Sequence, residues 1–291
     1  MKKKKTGYET LCLILLIILA LLFIFPLYWI VTGSVKDKAD ILIKSGQSVQ
    51  WLPLSPTMAN YQSLMKNQVT MVLFGSAVKM PAAIRWLINS VLISLMAMLI
   101  TCFTASLAGY ALAKKTFWGK GFIFTLFVCA MALPKQVILI PLVTLAKNLG
   151  MSESLWSVIL PIAGWPFGVF LMKQFSETIP TSLLEAARID GAGELRTFWE
   201  IVVPIIKPGI GALAIFTFIS AWNEYPLQLV MLHKTEVKTI SLGIASLQAE
   251  MSTDYGLIMA GAALGAVPII IIFLIFQKYF TQGITMGAVK G

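Results

Sequence analysis

Few side chains in this sequence could carry out nucleophilic, acid–base or metal chemistry. The three cysteines, Cys12, Cys102 and Cys129, lie inside apolar runs without Cys-x-x-Cys spacing, so we interpret them as packing residues. His233 is the only histidine, which excludes a multi-histidine metal centre. The sequence also lacks a Gly-x-x-x-x-Gly-Lys-Ser/Thr motif and cannot form its own nucleotide phosphate cradle. We therefore expect no catalytic residue, metal or cofactor site in this chain.

One polar helix face interrupts an otherwise apolar stretch, residues 208–230. The face comprises four residues at spacings of 3, 4 and 4: Thr217, Ser220, Glu224 and Gln228. An ionisable group within a membrane span is costly and normally faces an aqueous cavity or a partner. Two interpretations are open. Either this face lines a pathway for a solute, or Glu224 reaches water at the end of a span while its neighbours hydrogen-bond to adjacent helices.

The elements that would carry this face are membrane-spanning helices. Hydrophobic residues make up 58% of the 291 residues and charged residues 12%, with a mean hydropathy of +0.83, whereas a soluble domain is about a quarter charged. The long uncharged runs approach the roughly 20 residues that a spanning helix needs. A water-soluble enzyme is excluded. The net charge of +10 includes Lys2–Lys5, directly before the first apolar run, which indicates membrane topology rather than nucleic-acid binding.

The predicted fold is all-α, with six membrane-spanning helices in one domain covering residues 1–291. The spans are predicted at about 11–33, 86–112, 118–140, 154–173, 208–230 and 255–277. Lys and Arg are denser in the segments joined to Lys2–Lys5, which predicts that both termini are cytoplasmic. In this topology residues 36–85 form an external loop with short helices, and residues 177–207 form a cytoplasmic loop.

Small residues predict close packing of these helices, because lipid supplies no hydrophobic drive for helix association. One stripe follows the second span: Ser90, Ser94, Ala97, Thr101, Ala105 and Ala108. The sixth span carries Gly261 and Gly265 in a small-x-x-x-small pattern. Proline breaks that a moving pore could use occur at Pro26, Pro134, Pro166, Pro226 and Pro268.

The cytoplasmic loop contains a predicted short helix. Ser182 and Glu185 have the spacing of a capping box, which predicts a helix beginning at Ser182. Gly191 is placed to end this helix, and a second helical piece follows with Phe198 and Trp199. Such a helix either enters a groove of another protein or lies along its own bundle at the membrane surface.

The same loop resembles a known family motif. Glu185-Ala186-Ala187, then Gly191, then Ile201-Val202-Val203-Pro204 is similar to the EAA loop of permease subunits in binding-protein-dependent ABC importers. That loop has Glu-Ala-Ala, three residues, Gly, nine residues and Ile-x-Leu-Pro. The one departure is Val203, which stands in place of Leu.

The resemblance covers essentially the whole chain and points to the carbohydrate branch, specifically the MalG-like subunit of a maltose-type importer. Three further segments carry it: residues 51–61, residues 220–225 and the ending at 283–291. The resemblance implies the type I importer permease fold and a place in a bacterial cell membrane.

The resemblance also implies the coupling residues and the partners. Coupling to a cytoplasmic ATPase would involve Glu185, Ala186, Ala187, Asp190, Gly191, Ile201 and Pro204. The predicted translocation pathway rests on the residues themselves, since aromatic faces and hydrogen-bonding groups suit a neutral sugar. It combines the polar helix face with the segment 222–225: Thr217, Ser220, Trp222, Asn223, Glu224, Tyr225 and Gln228. The expected partners are a second, MalF-like permease, two ATPase subunits that bind ATP and Mg, and an extracytoplasmic solute-binding protein that delivers a sugar or oligosaccharide. The chain itself would be a transmembrane subunit and not an enzyme.

Two alternatives remain at the level of the sequence. An ABC permease for a polyamine or peptide would share the EAA loop, although a cationic cargo favours several acidic groups in the pore, and only Glu224 is evident. An ion-coupled secondary carrier should show inverted repeats or several intramembrane carboxylates, and neither is apparent.

Overall fold

A computed structural model describes residues 7–41, 48–73, 76–250 and 254–288. As predicted, these residues are mainly helical. They also form one short β-hairpin. The first elements are α1 (Gly7–Ser34), α2 (Lys38–Ile41), α3 (Ala59–Lys66), β1 (Gln68–Leu73), β2 (Ser76–Pro81) and α4 (Ala82–Lys114). The next are α5 (Lys120–Met131), a 3-10 turn (Lys135–Ile138), α6 (Leu139–Asn148), α7 (Trp156–Ala163) and α8 (Phe167–Glu177). The last are α9 (Thr181–Ile189), α10 (Glu194–Thr197), a π-helical turn (Phe198–Val202), α11 (Val203–Trp222), α12 (Tyr225–Met231), α13 (Ile240–Glu250) and α14 (Tyr255–Ala288).

Contacts within the chain fall into two groups. One comprises residues 1–84 with 243–267, and the other comprises residues 85–242 with 268–291. We describe each group separately, and the single domain stays a prediction.

The first group contains the predicted loop 36–85. The short helices expected there are present as α2 and α3, while the antiparallel hairpin of β1 and β2 was not expected. The Asn60 side chain donates hydrogen bonds to the carbonyls of Ser34 and Lys36 at 2.9 and 2.8 Å. These bonds fix α3 to the end of α1. Gly261 packs so closely on Ile244 that an added Cβ would lie 2.9 Å from it, which confirms a close contact at this glycine.

Five described helical segments are long and apolar enough to cross a membrane. They are Gly7–Ser34, Ala82–Lys114, Trp156–Glu177, Glu194–Trp222 and Tyr255–Ile275. The third span, predicted at 118–140 with a short surface helix after it, is broken, because α5 ends at Met131 and the following helix turns away by 97°. Pro134 lies at this break; it lacks an N–H and disfavours helical backbone before it. Six spans result only if this bent pair counts as one.

Two other predicted spans are also interrupted. The span predicted at 154–173 breaks between α7 and α8, and the span predicted at 208–230 breaks between α11 and α12. A proline lies beside each break, Pro166 in one and Pro226 in the other. The helix of the latter span also begins earlier than predicted, because α10, the π turn and α11 form one helical run.

The core of the second group forms around the small-residue stripe of α4. Five of its six predicted members are buried: Ser90, Ser94, Ala97, Thr101 and Ala105. Gly109 extends this close packing, since an added Cβ would lie 2.6 Å from backbone atoms of Met172 and Lys173 in α8. The predicted tight packing of this span is confirmed.

The predicted capping box is wrong. The helix α9 begins at Thr181 after an extended Pro180, and it has no side-chain cap hydrogen bond. Because Pro180 already sets the entry to the helix, Ser182 lies inside the first turn. The predicted end is confirmed: Gly191 has φ +75°, its N–H bonds to Arg188 O at 3.1 Å, and Ala192 N–H bonds to Ala187 O at 2.9 Å. This pair of bonds is a Schellman motif.

Candidate functional site

Three helix breaks in the second group place three side chains together. Lys135 follows the break after α5, Trp165 lies between α7 and α8, and Glu224 lies between α11 and α12. Interrupted helices inside membrane proteins occur where the irregular backbone lines a cavity or is buried in protein. The breaks therefore mark this region as the candidate site.

The Lys135 ammonium is held from two sides. Its Nζ lies 3.4 Å from Glu224 Oε2 and 4.8 Å from the centroid of the Trp165 ring. The Lys135 side chain is 45% exposed and the Glu224 side chain 15%. The three side chains form a salt bridge combined with a cation–π contact, and we call them the Lys135 cluster.

Two hollows meet at this cluster. The larger, of about 230 Å³, is lined by Thr101, Met131, Lys135, Ile162, Trp165, Phe167, Gly168, Leu213, Phe216, Thr217 and Ser220. The smaller, of about 30 Å³, also includes Lys135, Ile162 and Trp165 in its lining, together with Glu224. Aromatic faces with a few hydrogen-bonding groups are typical of small-molecule sites. Lys135, Trp165 and Ile162 thus form the wall that the two hollows share, and Glu224 lines only the smaller one.

The predicted pathway residues take different positions. Thr217 and Ser220 line the larger hollow and Glu224 lines the smaller. Trp222 is buried and stacks on Phe218 with ring centroids 5.9 Å apart. Asn223 and Tyr225 are exposed beside the break, and Asn223 Nδ2 donates to the carbonyl of Ile219 at 3.0 Å.

Gln228 lies in the protein interior. Its side chain is 1% exposed, its Nε2 donates to Ala221 O at 3.2 Å, and its Oε1 accepts a hydrogen bond from the Thr239 hydroxyl. Both polar ends of this side chain are therefore bonded within the protein. The structure brings Thr217, Ser220 and Glu224 to the hollows and places Gln228 in a structural hydrogen-bond network.

Lys135 and Trp165 were not among the predicted site residues. The sequence carried a signal for both, because each is adjacent to a proline within an apolar run, Pro134 and Pro166 respectively. A lysine beside such a break indicates a functional site, because charged residues within membrane spans are costly and usually line a pathway or pair with a partner. Thr101 was predicted only as a packing residue, and it also lines the larger hollow.

The predicted coupling helix α9 has an anchored face and an open face. Leu184 and Ala187 are buried, and Leu184 belongs to a core with Ile179 and Phe198. Glu185 and Ala186 are exposed. The neighbouring Ile189 is 87% exposed, and Leu195 is also exposed. The open face therefore presents the carboxylate of Glu185 together with the apolar side chains of Ile189 and Leu195.

The remaining predicted coupling residues follow this helix along the chain. Asp190 and Gly191 are exposed at its end. Ile201 lies in the π-helical turn, and Pro204 lies in the first turn of α11. These turns are continuous with α11, the helix that carries Thr217 and Ser220.

Charged contacts fix this loop to the end of α4. Lys115 forms a salt bridge with Glu194 of α10, and Arg188 of α9 lies 3.6 Å from the same carboxylate. Lys114 Nζ donates to the carbonyls of Glu177 and Ile179 at 3.0 and 2.6 Å. These contacts therefore fix the loop of α9 and α10 relative to the end of α4.

A separate polar contact joins the connection between α6 and α7 to the segment after α12. Glu153 accepts hydrogen bonds from the backbone N–H groups of His233 and Lys234 at 2.8 and 3.1 Å, and His233 Nδ1 lies 2.8 Å from its other oxygen. Partial burial opposes ionisation, but these bonds outweigh it and hold the pKa of Glu153 below its ordinary value. Within the described residues, no group of three or more His, Cys, Asp or Glu could hold a metal ion.

Comparison with known proteins decides the family. A family model described as "Binding-protein-dependent transport system inner membrane component" matches residues 105–286. The chain belongs to this family. The matched range includes both α9 and the Lys135 cluster, so the features described above lie within the family's own region.

Relatives of this inner membrane component are named for oligosaccharide transport. The arabinooligosaccharides transport system permease protein AraQ of Bacillus subtilis is 32% identical over 98% of this chain and 96% of that protein. The melibiose/raffinose/stachyose import permease protein MelC of Bacillus subtilis is 30% identical over the full length of both. The predicted family is confirmed, and these two relatives are named for the transport of carbohydrates.

A solved structure confirms the fold of this inner membrane component. The match is to a chain of a bacterial ABC transporter involved in the import of the acidic polysaccharide alginate. It has a TM-score of 0.79 at 20% identity and covers 96% of this chain and all of the other. At this identity the likeness establishes the importer permease fold alone.

Proposed function

We propose that this chain is one of two permease subunits that form the translocation pathway of an ATP-driven importer for a sugar or oligosaccharide. A solute-binding protein outside the membrane delivers the cargo, and two ATPase subunits supply the energy by binding and hydrolysing ATP with Mg. The chain lies in a bacterial cell membrane with both termini and α9 in the cytoplasm.

The observation that carries this proposal is the hollow beside the three helix breaks. It offers an indole ring and the hydroxyls of Thr217 and Ser220, which suit the apolar faces and hydroxyls of a sugar. The breaks also divide the spans into shorter segments that can shift separately. Both properties are expected of a pathway that opens alternately to each side of a membrane.

Energy reaches this pathway through α9. The open face carrying Glu185 and Ala186 would bind in a cleft of the ATPase, with the carboxylate paired to a basic residue there. Closure of the ATPase pair on ATP would displace α9, and the helical run through the π turn would transmit that displacement to α11. Hydrolysis of ATP would then return the pathway to its inward-open form.

The proposal is tested by Glu185→Lys in the complete importer, reconstituted into proteoliposomes with its binding protein and ATP. Because the substitution reverses the charge at the docking face, we expect ATP-driven uptake to be lost while the chain still inserts and assembles. Uptake of radiolabelled maltotriose and raffinose measures transport, and co-purification measures assembly.

Glu200→Lys is the matched control, because it makes the same charge change on an exposed side chain of the adjoining π turn. It should retain most of the uptake. Normal uptake with Glu185→Lys would remove the coupling function of α9. Uptake that follows an ion gradient without ATP would contradict the importer itself and favour a secondary carrier.

A further inference from the structure

The Lys135 cluster brings a positive charge to the wall of the larger hollow. Of the described residues that line this hollow, Lys135 is the one with an ionisable side chain; the others are apolar, aromatic or hydroxyl-bearing. The charge of this surface therefore depends on how completely Lys135 is neutralised.

Glu224 is placed to neutralise it. The carboxylate lies 3.4 Å from Nζ and lines the smaller hollow but not the larger one. Its side chain is three times less exposed than that of Lys135, at 15% against 45%. The carboxylate can therefore offset the charge of Lys135 without itself lining the larger hollow. The indole of Trp165 attracts the ammonium but has no net charge with which to cancel it.

We propose that Glu224 sets the charge selectivity of the pathway by neutralising Lys135. The pair leaves a surface that accepts uncharged sugar units, whereas an unpaired Lys135 would favour sugars bearing a carboxylate, such as uronates. The inference rests on the proposed function for the identity of the cargo, while the electrostatic part concerns the cluster alone.

The electrostatic part is tested by quenching of Trp165 fluorescence in the purified importer complex, with iodide as an anionic probe and acrylamide as a neutral one. The fluorescence of Trp165 is obtained by subtracting the fluorescence of the same protein carrying Trp165→Phe from that of each protein. A unit charge about 5 Å from the ring at physiological ionic strength changes the local anion concentration by about twofold. Glu224→Gln should therefore raise iodide quenching of Trp165 by about twofold and leave acrylamide quenching unchanged.

Two variants control this measurement. Lys135→Gln leaves the carboxylate unpaired and should lower iodide quenching below the wild-type value. The double variant Lys135→Gln/Glu224→Gln should return it close to that value. If iodide quenching does not change in Glu224→Gln, or if acrylamide quenching rises equally, the neutralisation is disproved.

The selectivity part is tested by uptake in proteoliposomes of β-1,4-mannotriose and the β-1,4-mannuronate trimer, which differ at C6. Relative to wild type, Glu224→Gln should raise the ratio of mannuronate to mannotriose uptake by about twofold or more. Selection by the binding protein is the same for every variant and cancels from this comparison. An unchanged ratio would overturn the inference.

The two tests separate failure of the inference from failure of the proposed function. Uptake of mannotriose with an unchanged ratio contradicts the inference and leaves the sugar importer intact. If the wild-type complex takes up neither trimer, the proposed function fails for this cargo, and the iodide measurement still decides whether Glu224 neutralises Lys135.

Discussion

Glu153 holds two loops together at the cost of an unfavourable backbone conformation. Its φ is +57°, a region that residues other than glycine rarely adopt. Its carboxylate accepts hydrogen bonds from the backbone N–H groups of His233 and Lys234, which offset the free energy of that strained conformation. Since these bonds are stronger when the carboxylate is ionised, the stability of the contact should depend on pH.

We expect Glu153→Gln to lower the Tm of the purified complex at pH 7, because the amide cannot accept the same charge-assisted bonds. The pKa of Glu153 is lowered by folding, so its contribution is fully present above the unfolded pKa and is lost as pH falls through the folded pKa. The difference in Tm between wild type and variant should therefore hold near neutral pH and shrink once the pH falls below the ordinary pKa of a glutamate, about 4.3.

Glu236→Gln is a suitable control, because within the described residues its carboxylate makes no hydrogen bond or ion pair, while its carbonyl accepts a hydrogen bond from Asn89 at 2.9 Å. Its Tm should match that of wild type at neutral pH. A Tm difference for Glu153→Gln that stays constant across the pH range would show that the carboxylate charge is not what stabilises the contact.

Individual residues also show the limit of prediction from helical periodicity. The spacing of Thr217, Ser220, Glu224 and Gln228 predicts one continuous helical face, but α11 ends at Trp222 and Gln228 lies in the next helix, α12. Gln228 meets Thr239, from a segment after the helix has ended, and becomes buried. Partners distant in sequence decide which polar residue faces a cavity.

At the scale of the helices, glycine controls how closely two spans approach. Gly109 of α4 lies against the backbone of α8, where an added Cβ would lie 2.6 Å from the carbonyl carbon of Met172. Backbone atoms cannot yield as a flexible side chain can, so the two helices would have to separate.

We therefore expect Gly109→Ala to destabilise the protein by about 1–3 kcal/mol, the usual cost of overpacking, as a lower Tm of the purified complex. Gly121→Ala is the control: an added Cβ there meets nothing within 4 Å, so alanine should be neutral or slightly stabilising. Equal Tm values for the two variants would show that α4 and α8 do not pack as closely as described.

Helices were predicted more successfully than their interruptions. Apolar runs gave the positions of α1, α4 and α14, because length and hydropathy suffice to identify a span. Prolines indicated where breaks were possible, but the 97° turn after α5 depends on packing with other helices. The capping box failed because Pro180 competes with Ser182 for the helix start.

At the scale of the whole chain, apolar surface indicates where lipid or a partner must lie. In α1, the most hydrophobic stretch, with a mean hydropathy of 3.1, has none of its residues buried within the chain. Exposed apolar side chains such as Phe23 and Leu16 need lipid or a second permease around them. The sequence predicted both a lipid environment and a second permease, but it did not predict which helix face contacts lipid and which contacts the permease.

Coupling across the chain should depend on the contact between α4 and the loop of α9 and α10. An exposed salt bridge such as Lys115–Glu194 stabilises a protein by at most about 1 kcal/mol. If α9 couples to the ATPase as proposed, the effect of this salt bridge on transport should be larger than its effect on stability, because the salt bridge fixes the position of the coupling helix. We expect Lys115→Glu to reduce the sugar transported per ATP hydrolysed while the Tm changes little.

The charge swap Lys115→Glu/Glu194→Lys distinguishes this positioning from a simple effect of charge. The swap restores attraction between α4 and α10, but it places a lysine beside Arg188, which lies 3.6 Å from Glu194 in the native chain. Recovery should therefore be partial, with a non-additive term in the double-mutant cycle for the transport-to-ATP ratio. If the effects of the two substitutions simply add, the salt bridge does not position α9. The open face with Glu185 would then have to be held in place by the buried contacts of Leu184 and Ala187 alone.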